Sequence, residues 1–253
     1  MVTTMAQNTV LLHLDEVNST NAFLHSYKGL QGKRMTVAVA DFQTAGRGQG
    51  NNHWESEKGK NLTFSIMCHP YKLPAARQYV MLEAGALAVR DALKALTDDD
   101  NFTIKWPNDI YWKDFKVSGT LSECSVAGEG IKTCILGIGV NVNQQLFISD
   151  APNPVSVILI TGRETERELL LKDIIERMGH YLDIIDNGDY AAIDDAYKQN
   201  LYRSHGFFPY EDSTGCFEAE IADIMPNGHL LLRRRDGKLS EYAFKEVKFR
   251  VTP

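Results

Sequence analysis

The stretch Gln43-Thr44-Ala45-Gly46-Arg47-Gly48-Gln49-Gly50-Asn51-Asn52-His53-Trp54 gathers the residue types that hold a small anion. Glycine lets backbone approach a ligand closely and take positive φ. Arg47 offers a planar fork of donors for a carboxylate or a phosphate. Trp54 offers a large apolar wall with one N–H donor. Between Thr44 and Lys60 no helical or strand period is visible. Loops of that length inside a compact domain are binding loops, lids or linkers, and the loop alone does not choose among them.

Three further groups could do chemistry. In Lys105-Trp106-Pro107-Asn108-Asp109 the proline forces the chain out of a strand and restricts Trp106. Asn108 and Asp109 then stand at a turn tip, where an amide and a carboxylate can reach a nucleotide or its metal; Mg2+ takes one or two carboxylates plus phosphate oxygens. A plain turn beside a buried tryptophan is the other reading. In Lys116-Val117-Ser118-Gly119-Thr120-Leu121 a strand-borne lysine can meet a phosphate, and Gly119 permits close approach of backbone. A solvated edge lysine is the plainer alternative. Gly137-Ile138-Gly139-Val140-Asn141-Val142-Asn143 imitates the start of a dinucleotide fingerprint, but Val142 replaces the third glycine and no helix start follows. A strand whose glycines let a ligand lie against it, with Asn141 as a polar contact, fits better.

The elements that must position these groups read as strands at Thr9–Val17, Met35–Phe42, Asn61–His69, Phe102–Trp106, Asp109–Trp112, Lys116–Val126 and Lys132–Val142. Their hairpin spacing predicts an antiparallel or mixed sheet. Ser19-Thr20-Asn21 supplies cap chemistry for a short helix ending near Gly29. An apolar stripe predicts a long helix over Pro74–Leu96. Thr165-Glu166-Arg167-Glu168 has the form of a capping box opening a helix through about Ile185, and a second helix covers Ala191–Tyr202. From His205 onward short strands alternate with turn signals such as Pro226-Asn227-Gly228 and Asp236-Gly237. The expected organisation is a domain over residues 1–203 and a small β-domain over 204–253.

Bulk composition narrows the function. The chain has 253 residues, 43% hydrophobic and 24% charged, with a net charge of −6. An acidic balance argues against general affinity for nucleic acid or an anionic membrane. No apolar run reaches the roughly 18 to 20 residues of a membrane helix, and no signal peptide is evident, so a cytoplasmic location is expected. Cys68, Cys124, Cys134 and Cys216 lie far apart without metal-ligand spacing and read as buried free thiols.

In order along the chain, Ser19-Thr20-Asn21, Gln43-x-Ala45-Gly46-Arg47-Gly48, Trp54, Lys105-Trp106-Pro107-Asn108-Asp109, Lys116-x-x-Gly119-x-Leu121 and Gly137-x-Gly139-x-Asn141 resemble the motifs of biotin–protein ligases. The resemblance covers most of Val17–Asn143, and the C-terminal segment is similar to that family's SH3-like module. It implies an α+β fold with a mixed, mostly antiparallel central sheet and flanking helices, of the class II synthetase kind, plus a small C-terminal SH3-like barrel. It implies activation of biotin with ATP and Mg2+ to biotinyl-5′-AMP, then transfer to one lysine of a biotin carboxyl carrier domain.

By the same resemblance Lys116 is the main catalytic contact, helped by Arg47, with Asp109 as a candidate base and Mg2+ contact. Ser19, Thr20, Asn21, Gln43, Gly46, Arg47, Trp54, Lys116, Gly119 and Leu121 face biotin. Gln49, Trp54, Asn108, Asp109, Lys116 and Asn141 face the nucleotide. Many family members carry arginine where Gln49 and Gly50 stand, and glycine where Asn51 stands, so a more loosely ordered lid is expected here. The catalytic strand is expected to start near Thr9, so no DNA-binding domain like that of the family's repressor members is expected.

A lipoate or octanoyl ligase on the same fold is the nearest rival, and a silent biotin- or nucleotide-binding module is another. The C-terminal barrel could also serve as an interaction module for the carrier. Strands such as Ile135–Val142 could pair two copies through a sheet edge.

Overall fold

The computed structural model describes residues 2–5, 8–29, 32–48, 50, 52–149 and 153–250. Elements follow in the order β1 (Val2–Met5), β2 (Thr9–Val17), α1 (Thr20–Ser26), β3 (Met35–Gln43), β4 (Leu62–Cys68), α2 (Tyr79–Thr97), β5 (Phe102–Lys105), β6 (Asp109–Trp112), β7 (Phe115–Ala127) and β8 (Gly130–Val140). Then come α3 (Val157–Thr161), α4 (Arg167–Asp186), α5 (Tyr190–Gln199), β9 (Phe208–Asp212), β10 (Gly215–Ile224), β11 (Leu230–Arg234), β12 (Leu239–Tyr242) and β13 (Lys248–Phe249).

Eight strands form one sheet in the order β1-β2-β3-β4-β8-β7-β6-β5. Only the β2·β3 pair is parallel; the others are antiparallel. The expected mixed, mostly antiparallel sheet with flanking helices is therefore present. β8 lies between β4 and β7, so Ile135–Val142 has no free edge and cannot pair two copies as suggested above.

Helix α2 lies on this sheet through Val80, Met81, Ala84, Leu87, Ala88 and Val89, all buried. Pro74 does not begin the helix. It precedes a single 3-10 turn at Ala75–Arg77, and the α-helix proper starts at Tyr79. The expected capping box is absent as well. Glu166 is the cap of α4 and no side chain bonds there. Thr165 is instead tied by its backbone to the amide of Asn143, which accepts from its N–H and donates to its carbonyl, both at 2.9 Å. That two-way clamp satisfies the same kind of backbone group a capping box would.

Five antiparallel strands in the order β12-β11-β10-β9-β13 make the second sheet. Its inward residues Tyr210, Ala219, Ile224, Leu230 and Leu232 belong to the same buried cluster as the core under the large sheet. The seam is specific. The Trp106 indole donates to the carbonyl of Gly228 at 2.9 Å. Gly228 sits at φ +87 with the Tyr79 ring where a Cβ would be, so both backbone and space require glycine. Among the described residues no helix is long and apolar enough to cross a membrane.

One buried acid affects stability. Glu83 on α2 is 2% exposed. Burial first, and the Asp194 carboxylate next, push it up to about 9. It is therefore protonated in the folded protein at neutral pH, whereas in the unfolded chain it ionises near its ordinary value. The folded state binds the extra proton between those two values, so stability falls as pH rises through that window, by up to about 1.4 kcal/mol per unit. Glu83→Gln is expected to flatten this fall: denaturant midpoints at pH 6 and pH 8 should differ less than in the wild type. An unchanged difference would show that Glu83 is not the group responsible.

Candidate active site

A cleft of about 700 Å³ opens over the face of β7 and β8 and is lined by residues from α1, β3, the 46–55 loop, the 105–109 turn and Phe244. Most of the residues expected at a site meet there: Ser19, Thr20, Asn21, Gln43, Arg47, Trp54, Asn108, Asp109, Lys116, Gly119, Leu121 and Asn141. Gly46 supports the wall from behind; its carbonyl accepts from the Trp54 N–H at 3.1 Å. Gln49 and Asn51 lie outside the described residues.

One end of the cleft is a chain of polar side chains. Ser19 caps α1 by accepting from the Ala22 N–H, which sets Thr20 and Asn21 at the helix start. The Gln43 carbonyl oxygen accepts from the backbone N–H of Thr20 at 2.7 Å and from its hydroxyl at 3.1 Å. The Thr20 hydroxyl is 2.6 Å from that of Ser65, which donates to the Asn21 carbonyl oxygen at 2.5 Å. The Asn21 amide in turn donates to Glu123 at 2.7 Å. Ser65 and Glu123 were not foreseen. A faint signal for Ser65 exists, since Thr63 and Ser65 are polar at alternate positions of an otherwise apolar strand.

The glycines of β8 line the cleft, as expected, and also have a second purpose. A side chain at Gly137 would meet the Asn21 amide, and one at Gly139 would meet the Trp54 indole. These glycines seat two site side chains as well as opening the strand face. The Trp54 indole N–H is buried and has no hydrogen-bond partner among the described residues.

At the other end cations dominate. Lys116 Nζ is 2.6 Å from Asp109 Oδ1 and 5.8 Å from the Trp54 ring centroid. Gly119 stands opposite Asp109 in the β6·β7 register. A Cβ there would lie 3.1 Å from Asp109 Oδ1 and 3.4 Å from Lys116 Nζ, so the glycine makes room for the pair. Lys105, quoted above as part of a motif without a role of its own, also faces the cleft. Burial lowers its pKa, against the opposing pull of Asp109. Arg47 is exposed and bridges to His53, and the described residues of the 44–60 loop otherwise carry no helix or strand, as expected.

Asn108 and Asn141 are less open than expected. The Asn108 amide donates to the Thr120 carbonyl, and the Asn141 amide donates to the Val155 carbonyl at 3.2 Å. Both fix backbone beside the cleft. A side chain at Gly50, where φ is +69, would meet the Lys245 ammonium. The positive charge beside this turn thus comes from the C-terminal segment. No group of three or more His, Cys, Asp or Glu among the described residues is arranged to hold a metal.

A cleft with a polar, hydrogen-bonding end and a cationic end suits an elongated molecule with a polar head and an acidic tail, held against a second anion. Residues 14–143 match the biotin/lipoate A/B protein ligase family. The chain is 31% identical over 247 residues to the bifunctional ligase/repressor BirA of Bacillus subtilis, covering 90% of this chain and 70% of that protein. It is 30% identical over 222 residues to the biotin–[acetyl-CoA-carboxylase] ligase of Paracoccus denitrificans, covering 80% and 91%. Its fold is similar to that of the biotin protein ligase from Aquifex aeolicus in complex with biotin and ATP, with a TM-score of 0.77, 26% identity, and 96% and 99% of the two chains covered. The chain belongs to the biotin/lipoate A/B protein ligase family, among its biotin–protein ligases.

Proposed function

We propose that the cleft joins biotin to ATP as biotinyl-5′-AMP and then passes biotin to a lysine of a biotin carboxyl carrier domain. The observation that carries this reading is one cleft with the Gln43–Thr20–Ser65–Asn21–Glu123 chain at one end and Lys116 beside Asp109 at the other. In the first step a carboxylate oxygen attacks the α-phosphorus and pyrophosphate leaves. Two anions must meet, and Lys116 with Arg47 offsets their repulsion and holds the charge that develops. The Trp54 ring walls the apolar part of the ligand.

A Mg2+ bound to the triphosphate would neutralise part of its charge. Asp109 is the carboxylate that would contact it, consistent with a preference for one or two carboxylates plus phosphate oxygens. Asn108 and Asn141 shape the nucleotide side through the backbone they hold.

In the second step the amine nitrogen attacks the acyl carbon and AMP leaves. A free lysine has a pKa of about 10.4, so its neutral form is scarce at neutral pH. Asp109 orients the amine and takes its proton. Asp109→Asn is expected to slow transfer from preformed biotinyl-5′-AMP by about 10²- to 10⁴-fold. Transfer at the wild-type rate would remove Asp109 from that role. The C-terminal five-stranded sheet serves as the SH3-like module, beside which the carrier docks.

Biotin is favoured over lipoate by the polar end of the cleft. A ureido ring has two N–H donors and a carbonyl to satisfy such side chains, whereas a dithiolane leaves them unpaired. The test is incubation with biotin, ATP, Mg2+ and a carrier domain. Pyrophosphate release and the mass of one biotin on one carrier lysine support the reading. Failure with biotin, together with product from lipoate, would assign the cleft to the rival acid.

A further inference from the structure

Three of the four cysteines are not isolated, although their sequence spacing suggested that they are. Cys68, Cys134 and Cys124 face one another across three adjacent strands: Cys68 opposes Cys134 in the β4·β8 register and Cys134 opposes Cys124 in the β8·β7 register. The Sγ atoms of Cys124 and Cys134 are 2.9 Å apart. The Ser122 hydroxyl is 3.3 Å from Cys134 Sγ and 3.7 Å from Cys124 Sγ. Nothing in the ligase reaction uses these thiols.

From this geometry we propose that Cys124 and Cys134 form a reversible peroxide-oxidised disulfide on the β7–β8 hairpin. Directly opposed residues of antiparallel strands have Cα separations of about 4.5 to 5.5 Å. Disulfides span about 4.4 to 6.8 Å, so the bond fits the existing register. The strands can also give slightly, because the β7·β8 register shifts between Ser125 and Val126, one residue beyond Cys124.

The two thiols divide the chemistry. Cys124 is half-buried and Cys134 fully buried. The hydrogen bond from Cys134 holds the Cys124 thiol down at about 7, against the cost of burial. That same bond and burial push Cys134 up. Cys124 is thus the nucleophile and Cys134 the resolving thiol. The Cys124 thiolate attacks one peroxide oxygen, the O–O bond breaks, and hydroxide leaves to become water. Cys134 sulfur then attacks Cys124 Sγ, the S–O bond breaks, and hydroxide departs with the Cys134 proton as a second water. The two thiols lose two electrons and two protons, and peroxide is reduced to two waters. Cys68 is pushed up to about 12 by burial and stays a thiol.

This inference is independent of the substrate assigned to the cleft. The test uses the full chain carrying Cys216→Ser, which removes the one exposed thiol. After hydrogen peroxide treatment its intact mass is expected to fall by about 2 Da, and dithiothreitol should restore it. Peptide mapping should join Cys124 to Cys134. Adding Cys134→Ser should instead leave a dimedone-reactive sulfenic acid on Cys124. A chain that keeps both thiols, a bond that maps to Cys68, or a loss of about 2 Da that persists with Cys124→Ser would overturn the proposal. Mapping of the wild type decides the matter if a variant folds poorly.

Discussion

Lys116→Gln is expected to lower the rate of pyrophosphate release from biotin and ATP by about 10²- to 10³-fold, the range seen when one preorganised charge-stabilising donor is removed. The reason is geometric. Lys116 stands at the cationic end of the cleft, beside Asp109 and the Trp54 ring. Two anions must come within bonding distance there, and their repulsion in a partly desolvated cleft is strong. Glutamine keeps a donor for Asp109 and much of the packing, so the fold should survive, and biotin binding should change little. Lysine-to-arginine should not rescue. Gly119 leaves room for an ammonium next to Asp109, and a planar guanidinium has a different shape and reach. Transfer from preformed adenylate should fall less than adenylate formation, because only the first step joins two anions. The measurement is pyrophosphate release alongside single-turnover transfer. Equal losses in both steps, or a loss of under about fivefold in the first, would remove Lys116 from the role given to it.

How much of this was legible in sequence depends on the distance over which each contact acts. Ser19 as a helix cap is a local fact, and it is where the sequence placed it. Strand alternation was equally local, and the strands from Thr9 to Val142 agree with the structure to within a few residues. β13 has two residues, too few to show a period. The Thr165–Glu168 pattern suggested a capping box, but Asn143 reached the same backbone first from a distant loop. Ser65 and Glu123 meet Asn21 only because β4 and β7 flank β8. The strand order that does this is not written in any one segment. The same strand order draws the cysteines together, so spacing along the chain was a poor guide to their company in the fold.

Gly137→Ala is the second change with a large expected effect, and it tests the polar end of the cleft. Glycine in a strand interior is ordinarily a weakness, and alanine there would be mildly stabilising. Here a Cβ would meet the Asn21 amide. That amide cannot swing aside cheaply, because Ser65 donates to its oxygen and its nitrogen donates to Glu123. Displacing it breaks both bonds, and Ser65 also touches the Thr20 hydroxyl that donates to Gln43. Two lost hydrogen bonds of about 1 to 1.5 kcal/mol each lower fold stability, and the displaced Asn21 is expected to weaken biotin binding by roughly tenfold or more. ATP binding, at the far end, should stay within about twofold of wild type if the sites do not share contacts. The contrast with Gly139→Ala is informative. There the Cβ meets the Trp54 indole, which lies next to Lys116 as well, so both substrates should bind less well. Titration calorimetry on the two variants separates these outcomes. If Gly137→Ala binds biotin as the wild type does, the Asn21 seat is not part of the biotin pocket, and the polar chain through Thr20 and Ser65 must serve the fold instead.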